Sequence, residues 1–363
     1  MKYSSEYRDP QLAAAMVTAI AAAVADYAGT MVLMEVCGTH TMSIYQHGIR
    51  SLLPEQIRLV SGPGCPVCVT PIRYVDRAVA YARQPESIIA TFGDMIRVPG
   101  SSSSLLREKA MGAAVQIVYS PLDAVKLAEN NPGKQVIFLG IGFETTAPTI
   151  AGSILEAARC GVDNYAVFCS HKTMPAPMAA LTADPHLQVA GYLCPAHVSA
   201  VIGAEAYRPL VEEYQVPCVV TGFEPLDMLR GIQLLAQQVV DGRAEVENEY
   251  QRIVKPEGNL RALEILRQVF EPCDADWRGI GPIAGSGLRI REKFAAFDAE
   301  RRFHVAVEEP REQKGCLCGE ILKGKVTPKD CPLFRRGCTP ENPVGACMVS
   351  SEGTCAAEYK YGC

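Results

Sequence analysis

The sequence predicts an α/β protein built on parallel sheets, and three observations carry that prediction. Seven short β-branched or aliphatic runs recur along the first two thirds of the chain with helical segments between them, the alternation expected of strands joined by crossover helices. The runs are apolar at successive positions, as strands covered by helices on both faces require. At 363 residues and 48% hydrophobic composition, the chain can fill two or three cores without covalent staples.

The elements follow in order. Leu12, Met16, Ile20 and Val24 recur every fourth residue and mark one face of an amphipathic helix. Glu6 and Asp9 precede this stretch where a signal peptide would carry positive charge, and Asp26 interrupts it before the ~20 residues of a membrane span. The expected compartment is therefore the cytoplasm. The strand runs are MVLMEV (31–36), IRLV (57–60), SIIATF (87–92), VQIVY (115–119), QVIFLG (135–140), YAVFC (165–169) and CVVTG (218–222). VIFLGIGFETTAP (136–148) and CVVTGFEP (218–225) both end a strand on Gly-Phe-Glu and a later Pro, which suggests two similar α/β units facing a cleft. Residues 30–120 are expected to form the first unit and 121–240 the second. Residues 1–29 with 241–363 are expected to form a helical and Cys-rich module. Its last part, from Gly315, is dense in Gly, Pro and Cys with little periodicity, a composition that usually needs a metal to hold it.

Net charge is -5, which leaves no basic footprint for nucleic acid. Of the fifteen cysteines, seven fall within the last 48 residues and three, Cys37, Cys65 and Cys68, lie near the front. In a reducing compartment such a set needs a metal or redox role, because disulfides there are rare. Cys316, Cys331, Cys338 and Cys355 give the spacing C-x14-C-x6-C-x16-C, with Cys318 and Cys347 as competing ligands. Four thiolates hold either a structural zinc or an iron–sulfur cluster, and the two C-x2-C pairs of a zinc ribbon are missing from this segment.

GPGCPVCVTP (62–71) places Cys65 and Cys68 before an expected helix start with Thr70 as N-cap and Pro71 at the first position, where the helix dipole favours thiolate. A redox pair, half a zinc site and a tight loop with buried thiols all fit that C-x-x-C. MEVCGTH (34–40) closes a strand on Cys37 and His40, at the strand end where α/β sheets collect ligands. The two suit a nucleophile and base, a soft metal ligand with a donor beside it, or plain core packing. Glu144 in GFETT, His171 and Lys172 in CSHKTMP, and His197 and Ser199 in CPAHVS add polar groups after later strands, with a loop or capping role expected for His171. Gly140-Ile-Gly142 lacks the third glycine of a dinucleotide fingerprint, since Thr145 stands there.

Taken jointly, CGTH, GPGCPVC, GFETTAP, PAHVS and the terminal cysteine spacing resemble the HypD family of hydrogenase maturation factors, and the resemblance runs across almost the whole chain. It implies an assembly scaffold for the Fe(CN)2CO group of [NiFe]-hydrogenases, a single copy within a hetero-complex, rather than an enzyme turning over alone. HypC, which shares the iron, and HypE, which delivers cyanide, are the implied partners, with no membrane involved. Cys37 would then bind the transient iron, Cys65 and Cys68 would be the dithiol/disulfide pair, and Cys316, Cys331, Cys338 and Cys355 would hold a [4Fe-4S] cluster. His40, Glu144 and His197 would orient ligands or move protons. Two other readings compete: a freestanding cluster-linked thiol–disulfide oxidoreductase, and a non-redox α/β binding protein with structural zinc.

Overall fold

A computed structural model describes residues 5–362. Its strands are β1 (Met31–Glu35), β2 (Ile57–Ser61), β3 (Ser87–Thr91), β4 (Val115–Ile117), β5 (Gln135–Gly142), β6 (Tyr165–His171), β7 (Val189–Pro195), β8 (Cys218–Thr221), β9 (Val246–Asn248), β10 (Phe270–Trp277) and β11 (Gly281–Ile290). They form a parallel sheet of order β2-β1-β7-β8-β9, a second parallel sheet of order β4-β3-β5-β6, and an antiparallel hairpin of β10 and β11. The α/β class is thus observed, with a cysteine-rich C-terminal region. Among the described residues no helix is long and apolar enough to cross a membrane.

The sheets do not divide the chain where the sequence suggested. The strands between residues 31 and 61 join those between 189 and 248, and the strands between 87 and 171 insert as the other sheet, so a boundary at 120 cuts through the second sheet. The N-terminal helix Pro10–Ala23 packs on the helix Pro225–Val240 rather than on the cysteine-rich region. Ile20 and Val24 are buried with Leu33, Val219, Leu229 and Ile232 on one face of the first sheet, whereas Leu12, expected on the same stripe, is 53% exposed.

A larger core joins the two sheets to the cysteine-rich region. Met34, Val36, Tyr192 and Val220 of the first sheet, Ile137 and Leu139 of the second, and Cys331, Cys347 and Met348 near the C-terminus belong to a single buried cluster. The far face of the second sheet is sealed by the helices Ala147–Cys160 and Leu260–Val269, together with residues of the hairpin. In the first sheet the chain leaves β1 toward β2 on one side and leaves β7 toward β8 on the other. That reversal makes a topological switch point beyond the carboxyl ends of β1 and β7, the place where parallel sheets form a ligand crevice.

Candidate functional site

Cys37 sits in that crevice. It precedes the helix Gly38–Gln46 as its N-cap residue, two residues beyond the end of β1. His197 lies at the start of the helix that follows β7, and its Nε2 is 3.8 Å from Cys37 Sγ. Phe223 stands between two imidazoles, its ring centroid 5.1 Å from that of His197 and 5.2 Å from that of His40. Ser43 Oγ donates to the carbonyl of Phe223 at 2.7 Å, which ties the loop after β8 to the Cys37 helix. His40 Nε2 is 2.9 Å from the Thr221 carbonyl oxygen, and its Nδ1 is buried with no partner.

Beneath Cys37 lies a residue the sequence reading passed over. Glu35, the last residue of β1, is fully buried. One carboxylate oxygen accepts the Cys37 N–H at 3.0 Å and the other accepts the Thr41 hydroxyl at 2.5 Å. Burial pushes its carboxyl up to about 7, against the hydrogen bonds from Ser61, Thr41 and Cys37 that favour the charged form. Burial raises the Cys37 thiol far more strongly than the His40 and Thr39 N–H groups lower it. It also lowers His197, and it lowers His40 to about 4. The crevice at neutral pH thus holds a protonated thiol beside a neutral imidazole, the arrangement in which a cation arriving at sulfur displaces a proton with an acceptor at hand.

The C-x-x-C loop reaches Cys37 through backbone contact. The Gly38 N–H donates to the Gly64 carbonyl at 3.1 Å. A Cβ on Gly64 would lie 2.1 Å from the Cys37 nitrogen and 2.3 Å from its Cα, so only glycine lets the loop come so close. Cys65 and Cys68 form a disulfide with a Cα–Cα separation of 5.2 Å. The helix start here differs from the expected one. Cys65 itself is the N-cap of the short helix Pro66–Val69 and its Sγ accepts the Cys68 N–H at 3.2 Å, while Thr70 ends that turn and its hydroxyl donates to the Pro66 carbonyl. The next helix runs Ile72–Ala82 with Pro71 as N-cap. The helix N-terminus therefore falls one turn earlier than expected, at Cys65.

The cysteine-rich region completes the site from the other side. Cys316, Cys331, Cys338 and Cys355 line one small cavity, together with Cys318 and Cys347. A Cβ on Gly345 would fall 2.7 Å from Cys316 Sγ, so the cavity wall is a glycine where the sulfur needs room. Among the described residues no three His, Cys, Asp or Glu side chains converge on one metal-sized point, although the Cys318 thiol touches those of Cys316 and Cys347, and Cys347 touches Cys355. Cys68 Sγ is 3.9 Å from the Ala346 carbonyl oxygen, next to Cys347. Thr39 donates to Glu352 at 2.9 Å, and Gly38 has no room for a Cβ against that residue. Both cysteine motifs thus abut the C-terminal region, and the pair Cys65–Cys68 lies between Cys37 and the cysteine cavity.

The remaining candidates fall elsewhere. Glu144 follows β5 at the carboxyl edge of the second sheet, is buried, and accepts the Met174 N–H at 2.9 Å. Burial raises it to about 7, and its Oε2 has no partner. Its only hydrogen bond among the described residues is thus to Met174, and none reaches Cys37. His171 closes β6 with its Nδ1 3.1 Å from Cys169 Sγ, away from the crevice, and Lys172 Nζ donates to the Ser170 hydroxyl at 3.4 Å. Ser199 is a helix residue whose hydroxyl returns to the Pro195 carbonyl. Cys363 lies outside the described residues. Besides Glu35, the sequence reading missed Phe223, although the Gly-Phe-Glu repeat had marked its position.

The family described as "HypD: Hydrogenase formation hypA family" matches residues 11–362. The hydrogenase maturation factor HypD of Azotobacter vinelandii is 50% identical over 369 residues, covering 100% of this chain and 97% of the relative. That of Rhodobacter capsulatus is 47% identical over 372 residues, covering 100% and 98%. That of Escherichia coli strain K12 is 43% identical over 368 residues, covering 99% and 98%.

Proposed function

Because the chain belongs to the HypD family of hydrogenase maturation factors, we propose that it is a redox-active scaffold on which the Fe(CN)2CO group of [NiFe]-hydrogenases is assembled. The iron is its cargo, shared with HypC, and cyanide arrives from HypE. The working compartment is the cytoplasm. The observation that carries this reading is the contact chain from Cys37 through Gly64 to Cys65 and Cys68, and from Cys68 to the cysteine cavity.

Each part has a role its surroundings support. Cys37 is the thiolate that takes the iron, and His197, 3.8 Å away, receives the displaced proton. His40 and Phe223 form the wall that orients small ligands on that iron. Glu35 fixes the backbone of Cys37, and Glu144, with its free buried oxygen, holds a proton on the facing sheet across the cleft. Cys65 and Cys68 store two electrons as a dithiol. Cys316, Cys331, Cys338 and Cys355 are the donors that would hold a [4Fe-4S] cluster, and all four line one cavity. Such a cluster supplies electrons singly. A zinc ion takes four thiolates ~2.3 Å from one point, usually from two C-x2-C pairs, and this segment has no such pair.

Infrared spectroscopy of the complex purified with HypC tests the scaffold role. CO and CN stretching bands are expected in the wild type and not in Cys37→Ala. Bands that persist in Cys37→Ala would remove Cys37 as iron ligand. Cys65→Ser and Cys68→Ser should keep the visible cluster spectrum and lose hydrogenase maturation. A colourless protein carrying one zinc would defeat the cluster assignment.

A further inference from the structure

Arg278 occupies the turn between β10 and β11 and is wedged between the two thiol regions. Its backbone N–H donates to the Val69 carbonyl at 2.9 Å, at the end of the C-x-x-C helix. The next residue, Gly279, packs backbone to backbone on Gly319: a Cβ there would fall 2.1 Å from the Gly319 Cα. Arg278 is therefore held against the Cys65–Cys68 helix on one side and the segment beginning at Cys318 on the other.

The side chain itself is anomalous. Arg278 is 7% exposed, and its Nε and Nη2 are buried with no hydrogen-bond partner. No carboxylate among the described residues forms an ion pair with it within 4.0 Å. A guanidinium does not shed its proton at any ordinary pH. A buried charge that can neither neutralise nor pair is strongly destabilising unless an anion completes the site. The cysteine cavity begins at Cys318, next to the Gly319 on which the Arg278 turn packs, and negative charge would collect there, because four thiolates around a cluster carry excess negative charge that grows by one on reduction.

We propose that Arg278 is the counter-ion of the thiolate-held cluster, a positioning residue that stabilises its reduced form and so sets the potential at which electrons pass toward Cys65 and Cys68. This rests on the reading of Cys316, Cys331, Cys338 and Cys355 as cluster ligands. A fixed positive charge favours the more negative member of a redox couple, so its removal lowers the midpoint potential. The electron comes from an external one-electron donor, and the cluster alone is reduced.

The test is a dithionite titration of anaerobically purified full-length protein, followed by EPR and visible absorbance, for the wild type, Arg278→Lys, Arg278→Met and Arg278→Gln. The neutral variants should show a lower potential at unchanged cluster content, and the lysine variant should stay near the wild type. An unchanged potential in both neutral variants overturns the proposal, as does an equal fall in Arg278→Lys. If the neutral variants retain the wild-type circular dichroism but no longer hold iron while Arg278→Lys does, the charge is required and the proposal stands. If Arg278→Lys loses iron equally, it is overturned. Failure of the wild type to hold four irons would instead sink the cluster assignment itself.

Discussion

Gly64→Ala is the sharpest perturbation the site offers. The added methyl would meet the Cys37 nitrogen at 2.1 Å, the Cys37 Cα at 2.3 Å and the Val36 carbonyl carbon at 2.3 Å, where ordinary carbon contacts need ~3.5 Å. All three atoms are backbone, so no side chain can rotate away. β1 is hydrogen-bonded on both edges, to β2 and β7, so the C-x-x-C loop must retreat by more than ~1 Å. Overpacking of this kind costs ~1–3 kcal/mol, and a ~1 Å misplacement of reacting groups costs up to ~100-fold in rate. Denaturant unfolding should show the first, and hydrogenase maturation the second, with the visible cluster spectrum unchanged. Gly152→Ala is the control: nothing lies within 4 Å of its added methyl, and in mid-helix it should stabilise by ~0.5–1 kcal/mol. Wild-type stability together with wild-type maturation in Gly64→Ala would refute the claim that Cys37 and the C-x-x-C loop act as one unit.

Glu35→Gln should change the pH dependence of stability. With a folded value of about 7 against an ordinary 4.5, the unfolded chain releases the proton first, so wild-type stability falls as pH rises from 4.5 through 7. The glutamine variant lacks this fall, and its advantage in unfolding experiments should grow by on the order of 3 kcal/mol between pH 4.5 and 8; a pH-independent difference would exclude a buried titrating Glu35. Cys338→Ser should lose iron and visible absorbance, whereas Cys160→Ser, at an exposed position, should keep both. Asp76→Ala should cost ~1–3 kcal/mol in urea unfolding, since buried Asp76 accepts both the Ser101 N–H at 2.7 Å and its hydroxyl at 2.6 Å.

The elements buried on both faces were legible in the sequence, and those that break the apolar run were not. MVLME reads as a strand because all five residues are buried. VAGYLCP escaped because Gly191 and Pro195 look like turn residues; in the fold, a Cβ on Gly191 would press on Leu235 Cδ2 at 3.0 Å, so the glycine serves close packing of a helix on the strand. The hairpin escaped because FEPCDADW buries only its two ends and alternates exposed with half-buried residues between them, the pattern of a ribbon outside the parallel sheets. The interleaving of the two sheets has no local signal at all. A parallel strand finds its neighbour through a crossover, and nothing in MVLME says whether 87–91 or 189–195 will lie beside it.

The same division runs through the site. Cys37, Cys65, Cys68 and His197 were legible because cysteine and histidine at strand ends are chemically conspicuous. Glu35 was hidden because an acid inside an apolar run reads as a strand terminus, and only the structure turns its carboxylate under the Cys37 N–H. Arg278 was hidden for the opposite reason, since a charged residue in a Gly-rich turn looks exposed until the turn is seen pressed between two thiol regions. Burial links these two charges to the chemistry. It keeps Cys37 a thiol and His197 a neutral base, with the titrating Glu35 carboxyl beneath them, so the crevice carries no fixed positive charge to oppose an arriving cation. It also leaves Arg278 Nε and Nη2 without hydrogen-bond partners, donors that an anionic occupant of the neighbouring cysteine cavity would satisfy. One end of the contact chain is thus arranged to receive positive charge and the other to stabilise negative charge, with Cys65 and Cys68 between them.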